Sequence, residues 1–182
     1  MIYLVRHGQD LDNKKGILNG WRDMPLTPKG KNQAFKVAKE LKNYGITKIF
    51  STPLIRGFVT ARIIADELGI CTITVDTRLR ERNFGHLTGD LISNVQNYSG
   101  EIMTVDENNF YFLSGAGVES FPKLIDRLTP FYKSLSRWKK TNAVVVAHGD
   151  VMKMLLAIHH KIGFREMLKT NHFKNCEIVP LD

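Results

Sequence analysis

The chain lacks any long run of apolar residues, although 43% of its 182 residues are hydrophobic. A helix that spans a bilayer needs about 20 consecutive apolar residues, and no segment approaches that length. The first residues also lack a basic segment followed by a long apolar one, which is the pattern of a secretory signal. We therefore expect a cytoplasmic protein that has no membrane partner.

Cysteine is scarce as well, since the chain has only Cys71 and Cys176. These two residues lack the CxxC spacing of zinc and redox sites, so we expect both to be ordinary buried thiols. The sequence also has no HExxH motif and no dense carboxylate-histidine spacing. We therefore predict chemistry that uses neither a metal ion nor a cofactor.

Acidic residues are outnumbered by basic ones, 18 to 26, which gives a formal net charge of +8. This surplus favours acidic partners. The basic residues are scattered, however, and form no basic stripe interleaved with aromatic residues of the kind that binds nucleic acid. We expect a small phosphorylated substrate rather than nucleic acid, and one domain over residues 1–182. No pattern indicates an oligomeric state.

Two short apolar segments, residues 2–5 and 143–147, are followed by the pairs His7-Gly8 and His148-Gly149. Continuous apolar segments of this length are typical of strands that are buried on both faces of a parallel sheet. Ligands of α/β proteins bind beyond the carboxyl ends of such strands. If the two strands are neighbours, both imidazoles face one crevice. With Arg6 beside the first pair, the pattern indicates an anion that is attacked by a nucleophile.

The rest of the chain alternates short strands with helical patterns, which predicts an α/β fold. The predicted elements are a loop at 10–23, a helix from Thr27 to Leu41, a strand at 46–51, a helix that ends at Gly69, a strand at 71–75, a helix at 119–138, a helix at 151–158 and an edge strand within 175–180. We expect Pro130 to kink or break its helix. Residues 86–117 show no clean period and are predicted to be short helices and loops that cover the crevice.

Phosphoryl transfer by a protein nucleophile needs an in-line nucleophile, cations on the phosphate oxygens and a proton donor for the leaving oxygen. His7 is the candidate nucleophile, provided that a backbone carbonyl holds its other ring nitrogen. Gly8 lets a phosphate approach the backbone because it has no Cβ. Arg6 is one candidate clamp for the oxygens. The other is Arg56, whose place in a first helical turn is unfavourable for a cation unless an anion binds there.

Two further residues complete the predicted chemistry. His148, once the adjacent phosphate dianion protonates it, can donate to an oxygen that gains charge in the transition state. Glu81 is the carboxyl group that we assign as proton donor, because it follows a strand end and has arginines as sequence neighbours. In isolation each residue would be ordinary, and we treat the other four histidines in that way. They are His86, His159, His160 and His172.

Five segments of the chain resemble the signature blocks of the histidine phosphatase superfamily, also called the phosphoglycerate mutase-like family. In chain order they are Leu4 to Gln9, Gly20 to Gly30, Ser51 to Arg56, Leu79 to Glu81 with Gly85, and Val145 to Gly149. The resemblance implies a three-layer α/β/α fold with a mostly parallel central sheet. It also implies a metal-independent phosphohistidine at His7 and a phosphate pocket, which is formed by Arg6, Arg56 and His148 with Asn13 beside it.

Residues 81–89 resemble the Glu-Arg-His-Tyr-Gly stretch of cofactor-dependent mutases, with Asn83 and Phe84 in place of the histidine and tyrosine. The missing hydroxyl favours the phosphatase branch, as does the lack of the long insertion and mobile tail with which those mutases shield the phosphoenzyme. We therefore expect a metal-independent phosphomonoesterase. The alternatives are a cofactor-dependent phosphoglycerate mutase and a catalytically inactive protein that binds phosphorylated ligands.

Overall fold

The structure, a computed structural model, describes residues 1–97, 100–106, 109–115, 117–138, 141–170 and 172–181. Its elements are β1 (Ile2–Arg6), α1 (Leu11–Lys15), α2 (Pro28–Leu41), β2 (Ile46–Ser51), α3 (Ile55–Leu68), β3 (Ile73–Val75), β4 (Ile102–Asp106), β5 (Asn109–Phe112), α4 (Phe121–Ser134), β6 (Asn142–Ala147), α5 (Gly149–His160), α6 (Phe164–Leu168) and β7 (Ile178–Pro180). The central sheet has the order β3-β2-β6-β1-β7, in which only β7 runs antiparallel to its neighbour.

Successive residues of the central strands pack on opposite faces of the sheet. Leu4 and Val145 belong to the apolar core under α4, α5 and α6, whereas Val5 and Val144 belong to the core under α2 and α3. All four side chains are fully buried. Because side chains alternate along a strand, a continuously apolar strand requires helices on both faces. The result is the three-layer α/β/α fold with a mostly parallel sheet that the sequence predicts.

The two strands that precede the His-Gly pairs are neighbours. β1 pairs with β6 in a register that sets Arg6 opposite Ala147. The N–H of His7 donates to the carbonyl of Ala147 at 3.0 Å. The two strands therefore end at the same level of the sheet, and His7 and His148 lie at adjacent strand ends.

The ends of the helices follow local sequence signals. Thr27 caps α2, and its hydroxyl accepts a hydrogen bond from the N–H of Gly30 at 3.0 Å. Gly69 takes the left-handed conformation with a φ of 68° and ends α3. Arg56 is the second residue of α3, so it occupies the first helical turn as predicted.

The segment at residues 10–23 is not entirely a loop, because α1 forms within it. Asp10 caps this helix and accepts a hydrogen bond from the N–H of Asn13 at 2.7 Å, and the Asn13 side chain faces the N–H of Asp10 in return. A five-residue helix is too short to show apolar periodicity, so the reciprocal cap was its only local signal.

Pro130 does not break its helix, so that one of the two outcomes expected from the sequence, a kink or a break, is wrong. α4 runs without a break from Phe121 to Ser134, after an N-cap at Ser120. Proline inside a helix costs about 3 kcal/mol, but Leu128 and Phe131 on either side of it are buried in the core. Their packing offsets the lost hydrogen bond.

Residues 86–117 contain a β-hairpin, which the sequence reading missed. β4 and β5 pair antiparallel, with an irregularity between Thr104 and Asp106. Tyr111 packs into the main core, whereas Phe112 belongs to a separate cluster with Leu87. Both faces of β5 are therefore apolar, so no polar alternation marked it as a strand. Residues 98, 99, 107, 108 and 116 of this segment lie outside the described residues.

The two thiols differ in burial. Cys71 is exposed, so the expectation of a buried thiol is wrong there; it precedes β3, which begins only at Ile73. Cys176 is half-buried, and burial raises the pKa of its thiol to about 12. Within the described ranges, no helix has the length and apolar character that crossing a membrane requires.

Candidate active site

His7 is buried at the end of β1, with 2% of its surface exposed. Its Nδ1 lies 2.7 Å from the carbonyl oxygen of Gly8. Because a carbonyl can only accept, Nδ1 carries the proton and Nε2 carries the lone pair. Burial, followed by the charges of Arg56 and Arg6, holds the pKa of His7 well below its usual range. His7 is therefore a neutral imidazole with a nucleophilic nitrogen.

His148 lies beside His7, with ring centroids 5.0 Å apart and planes inclined by 58°. Its Nε2 is 3.0 Å from the hydroxyl oxygen of Thr52. Burial, together with the positive charge of Arg56 and the neighbouring His7, also holds the pKa of His148 well below its usual range. Both imidazoles are thus neutral in this state of the protein.

Arg56 is fully buried and ties α3 to the loop after α1. Its two terminal nitrogens donate to the carbonyls of Gly20 and Arg22, each at 2.7 Å. Its Nε lies 3.3 Å from a carboxylate oxygen of Asp10. Burial lowers the pKa of Arg56 from its ordinary value, while Glu81 and Asp10 act in the opposite direction. The guanidinium is therefore fixed in position before any substrate binds.

Asn13 and Arg6 are held by the segment that precedes β7. Arg6 donates through one terminal nitrogen to the carbonyl of Phe173. The amide nitrogen of Asn175 donates to the carbonyl of His7 at 2.9 Å and to the side-chain oxygen of Asn13 at 3.3 Å. The segment that precedes β7 thus connects His7 to two predicted phosphate-binding residues.

Three buried side-chain nitrogens in the described part of the chain make no hydrogen bond: Arg6 Nε, Arg56 Nε and His148 Nδ1. An unsatisfied buried donor costs about 1–3 kcal/mol, so such groups are rare in folded proteins. All three belong to residues that the sequence assigns to phosphate binding. Arg56 Nε keeps its ion pair with Asp10, so the nitrogens that are open to a further partner are Arg6 Nε and His148 Nδ1.

Glu81 follows β3 in the chain and is buried, with 8% of its surface exposed. Burial, and secondly the charge of Asp150, raises its pKa to about 7. One carboxylate oxygen accepts from the N–H of Arg82 at 2.9 Å. The side chain of Arg82 pairs with Asp150 at 2.6 Å. A carboxyl group that is half-protonated near neutral pH is suited to act first as an acid and then as a base.

The backbone around Glu81 is held by Arg127 of α4. Arg127 donates to the carbonyls of Arg78, Arg80 and Glu81, and also pairs with Glu119 at 2.8 Å. Three contacts of this kind within four residues restrict the backbone that carries the Glu81 side chain. No signal in the sequence indicated this function for Arg127, because α4 lies far from residue 81 along the chain.

A cavity of about 250 Å³ lies at this end of the sheet. Of the predicted site residues, Arg6, Asn13, Glu81 and Gly149 line it. The others are buried and do not line it. These others are His7, Gly8, Arg56 and His148. From the segment at 86–117, Ile92 and residues 110–112 form part of the wall.

The two glycines of the His-Gly pairs have different surroundings. A Cβ on Gly8 would lie 2.4 Å from the carbonyl oxygen of Gly30, and a Cβ on Gly30 would lie 2.0 Å from the carbonyl of Gln9. Gly8 is thus required for the close approach of two backbone segments, which is a different reason from the one predicted. A Cβ on Gly149 would meet nothing within 4 Å.

Asp10, Thr52 and Asn175 also contribute to the site, although the sequence reading assigned them no function. Each is a short polar residue in a loop or cap, and each acts on a predicted site residue far away in sequence. Within the described residues, no group of three or more His, Cys, Asp or Glu side chains could hold a metal ion.

Comparison with known proteins agrees with this geometry. A family model described as histidine phosphatase superfamily (branch 1) matches residues 2–182. The chain is 31% identical over 180 residues to a Hydrogenobacter thermophilus protein named "Putative phosphoserine phosphatase 2". The alignment covers 99% of this chain and 88% of that protein. It is also 30% identical over 186 residues to a 2,3-bisphosphoglycerate-dependent phosphoglycerate mutase of Parvibaculum lavamentivorans. That alignment covers 98% of this chain and 89% of the mutase. A solved mycobacterial glucosyl-3-phosphoglycerate phosphatase complexed with VO3 has a similar fold, with a TM-score of 0.84 at 24% identity over 97% of this chain and 90% of that one.

Proposed function

Because this chain belongs to the histidine phosphatase superfamily, we propose that it is a phosphomonoesterase that hydrolyses a small phosphorylated compound through a phosphohistidine at His7. One observation carries the proposal: a neutral, oriented His7 lies beside His148 and within the influence of the charges of Arg56 and Arg6. This is the arrangement that an attacked phosphoryl group requires.

In the first step Nε2 of His7 attacks phosphorus, and the bond from phosphorus to the ester oxygen breaks. Glu81 gives its proton to that departing oxygen, so the alcohol leaves without a negative charge. Arg6 and Arg56 neutralise the charge on the phosphoryl oxygens. The products of this step are the free alcohol, a phosphohistidine and an ionised Glu81.

In the second step the Glu81 carboxylate takes a proton from water, and the water oxygen attacks phosphorus. The bond from phosphorus to Nε2 of His7 breaks, which releases inorganic phosphate and restores both residues. A pKa of about 7 for Glu81 lets the same group work in both directions near neutral pH.

His148 changes its charge during this cycle. Its pKa is low in the free protein because burial and neighbouring cations oppose a positive charge there. A bound phosphate dianion reverses this balance and raises the pKa. The resulting imidazolium donates to a phosphoryl oxygen and offsets the charge that develops in the transition state.

We favour hydrolysis over mutase activity because of Phe84, which lines the same cavity as Glu81. Phe84 lines the cavity where the mutase stretch has a tyrosine, so no hydroxyl is available there to orient a phosphoglycerate. Chain length does not separate the two activities, because the mutase relative is matched over 89% of its own length. That relative is the reason to keep phosphoglycerate mutase as the second candidate function.

We also propose that the protein acts in the cytoplasm, without a metal ion and as one domain over residues 1–182. Its two cysteines are both free thiols, which is typical of reducing compartments.

The experiment that tests the proposal is phosphorus NMR on the chelator-treated protein with a panel of phosphomonoesters. The panel includes 3-phosphoglycerate with a trace of 2,3-bisphosphoglycerate. We expect inorganic phosphate to accumulate. Conversion of the 3-isomer into 2-phosphoglycerate would instead identify a mutase, and no change in any signal would indicate a protein that only binds phosphorylated ligands.

A further inference from the structure

The cavity beside Glu81 has a wall of apolar side chains, contributed by three separate parts of the chain. The side chains that form it are Ile17, Leu18, Phe84, Ile92, Phe110 and Phe112. Phe112 packs edge-to-face with Phe84 at a centroid distance of 6.5 Å and with Phe110 at 5.7 Å. A packed aromatic surface of this kind favours contact with an apolar group, although Asn13, Asn19, Tyr111 and His172 also line the cavity.

The basic side chains of the same cavity are engaged by protein acceptors. Arg82 pairs with Asp150 at 2.6 Å and donates to the carbonyl of Phe112 at 2.8 Å. Lys153 has its ammonium 2.8 Å from the hydroxyl and 2.9 Å from the carbonyl of Thr170. Both side chains are only 1% exposed. A carboxylate on a substrate would therefore have to compete with these contacts.

Negative charge on the wall adds to this effect. Glu81 and Asp150 both line the cavity, and the side chain of Asp150 is 13% exposed. A substrate carboxylate would be repelled by Asp150, and by Glu81 only when that group is ionised. Among the described lining residues, Arg6 is the third arginine or lysine side chain, and we assign its unpartnered Nε to the phosphoryl end of the site.

We propose that the site selects phosphate monoesters whose alcohol carries an uncharged aromatic or apolar group, and discriminates against alcohols that carry a carboxylate. This inference rests on the proposed phosphatase function. A cavity of about 250 Å³ is smaller than the roughly 300–1,000 Å³ of pockets that hold drug-sized ligands. The selected group is therefore small, with about one ring. Phosphoserine and phosphoglycerate, for which the relatives above are named, both carry a carboxylate. The proposed substrate preference of this chain therefore differs from the one that those names indicate.

The first test compares the release of inorganic phosphate from benzyl phosphate, phosphoserine and 3-phosphoglycerate. All three are esters of aliphatic alcohols, so differences in kcat/KM report the pocket rather than an activated leaving group. We expect benzyl phosphate to be preferred by about tenfold or more, the range that an apolar pocket contributes for small groups. Equal rates, or a preference for the carboxylate esters, would overturn the inference while leaving the phosphatase function intact.

The second test does not depend on turnover. Benzylphosphonate and 3-phosphonopropionate carry the same phosphorus group and are not hydrolysed, so their dissociation constants measure the pocket alone. We expect benzylphosphonate to bind more tightly. If it does so in a protein that releases no phosphate from any ester, the phosphatase proposal fails and the pocket inference stands. Tighter binding of the carboxylate analogue would refute the inference directly.

Two variants connect the preference to the wall. Phe84→Ala removes a ring from the wall and should reduce the benzyl preference about tenfold. Ile92→Lys places a cation at an exposed position of the lining and should improve kcat/KM for the carboxylate esters about threefold, the value of an exposed ion pair. Leu91→Lys is the matched control, because Leu91 is equally exposed but does not line the cavity. An identical gain in both lysine variants would mean that net charge, not the wall, sets the preference.

Discussion

The carboxyl groups of Glu81 and Asp150 are joined through one arginine. The backbone N–H of Arg82 donates to Glu81 at 2.9 Å, while its side chain pairs with Asp150 at 2.6 Å. The arrangement places a second negative charge near the proposed acid, and that charge is the main cause, after burial, of the raised pKa of Glu81. If Glu81 is the acid, as proposed, Asp150 acts through it and is a positioning residue.

The Asp150→Asn variant should show this in the pH dependence of turnover. An alkyl ester needs protonated Glu81, so kcat for such an ester falls as pH rises through about 7. Removing the charge of Asp150 lowers the pKa of Glu81, so this alkaline limb should move to lower pH. The measurement is kcat against pH, with the exposed Asp66→Asn as control. A limb that stays in place or moves to higher pH would contradict the assignment.

The His7→Ala variant should lose turnover by several orders of magnitude, because His7 is the proposed nucleophile of the covalent step. Phosphate release and acid-labile phosphorylation of the protein measure the effect, with circular dichroism to show that the fold remains. His160→Ala is the matched control, since His160 is exposed at the end of α5. Turnover near the wild-type rate in His7→Ala would refute the nucleophile assignment.

Binding of inorganic phosphate should be accompanied by proton uptake at His148. Its pKa is low in the free protein, and the dianion raises it. Calorimetry at pH 8 in buffers of different ionisation enthalpy counts the protons that are taken up. The uptake should disappear in His148→Gln and persist in Glu81→Gln. The reverse pattern would assign the proton to Glu81.

Arg127→Met should lower kcat about 10- to 100-fold with little change in KM, because a displaced acid affects the chemical step more than binding. Arg127 bonds the carbonyls of Arg78, Arg80 and Glu81. Arg127→Lys should restore part of the activity, and Arg62→Met at an exposed pair is the control. A change in thermal stability with kcat unaltered would show a purely structural function.

Gly30→Ala should destabilise the fold by about 1–3 kcal/mol, the usual cost of overpacking. The added Cβ would lie 2.0 Å from the carbonyl oxygen of Gln9, which is backbone and cannot rotate away. Denaturant unfolding measures the change. Gly163→Ala has nothing within 4 Å of the added Cβ and should leave stability close to that of the wild type. Equal stability of the two variants would argue against close packing at Gly30.

Local sequence patterns predicted most of the helices and strands. They failed where packing between residues that are distant in sequence determines the secondary structure. Thr27, Gly69 and the apolar strands act within a few residues, so their effects were readable. Pro130 was misread because the packing of Phe131 and Leu128 holds α4 together. The hairpin was missed because both faces of β5 are apolar, one in the main core and the other in the cluster of Leu87 and Phe112.

The sequence by itself determined which residue types stand at the strand ends, and from these followed the candidate nucleophile, cations and acid. Only the tertiary structure decided the protonation and orientation of these side chains. His7 is neutral and oriented because burial, Arg56 and the Gly8 carbonyl act on it together. Glu81 has a pKa of about 7 because the fold buries it and brings Asp150 near. Desolvation and charge depend on distance in space, and no local pattern records which residues the fold will bring together.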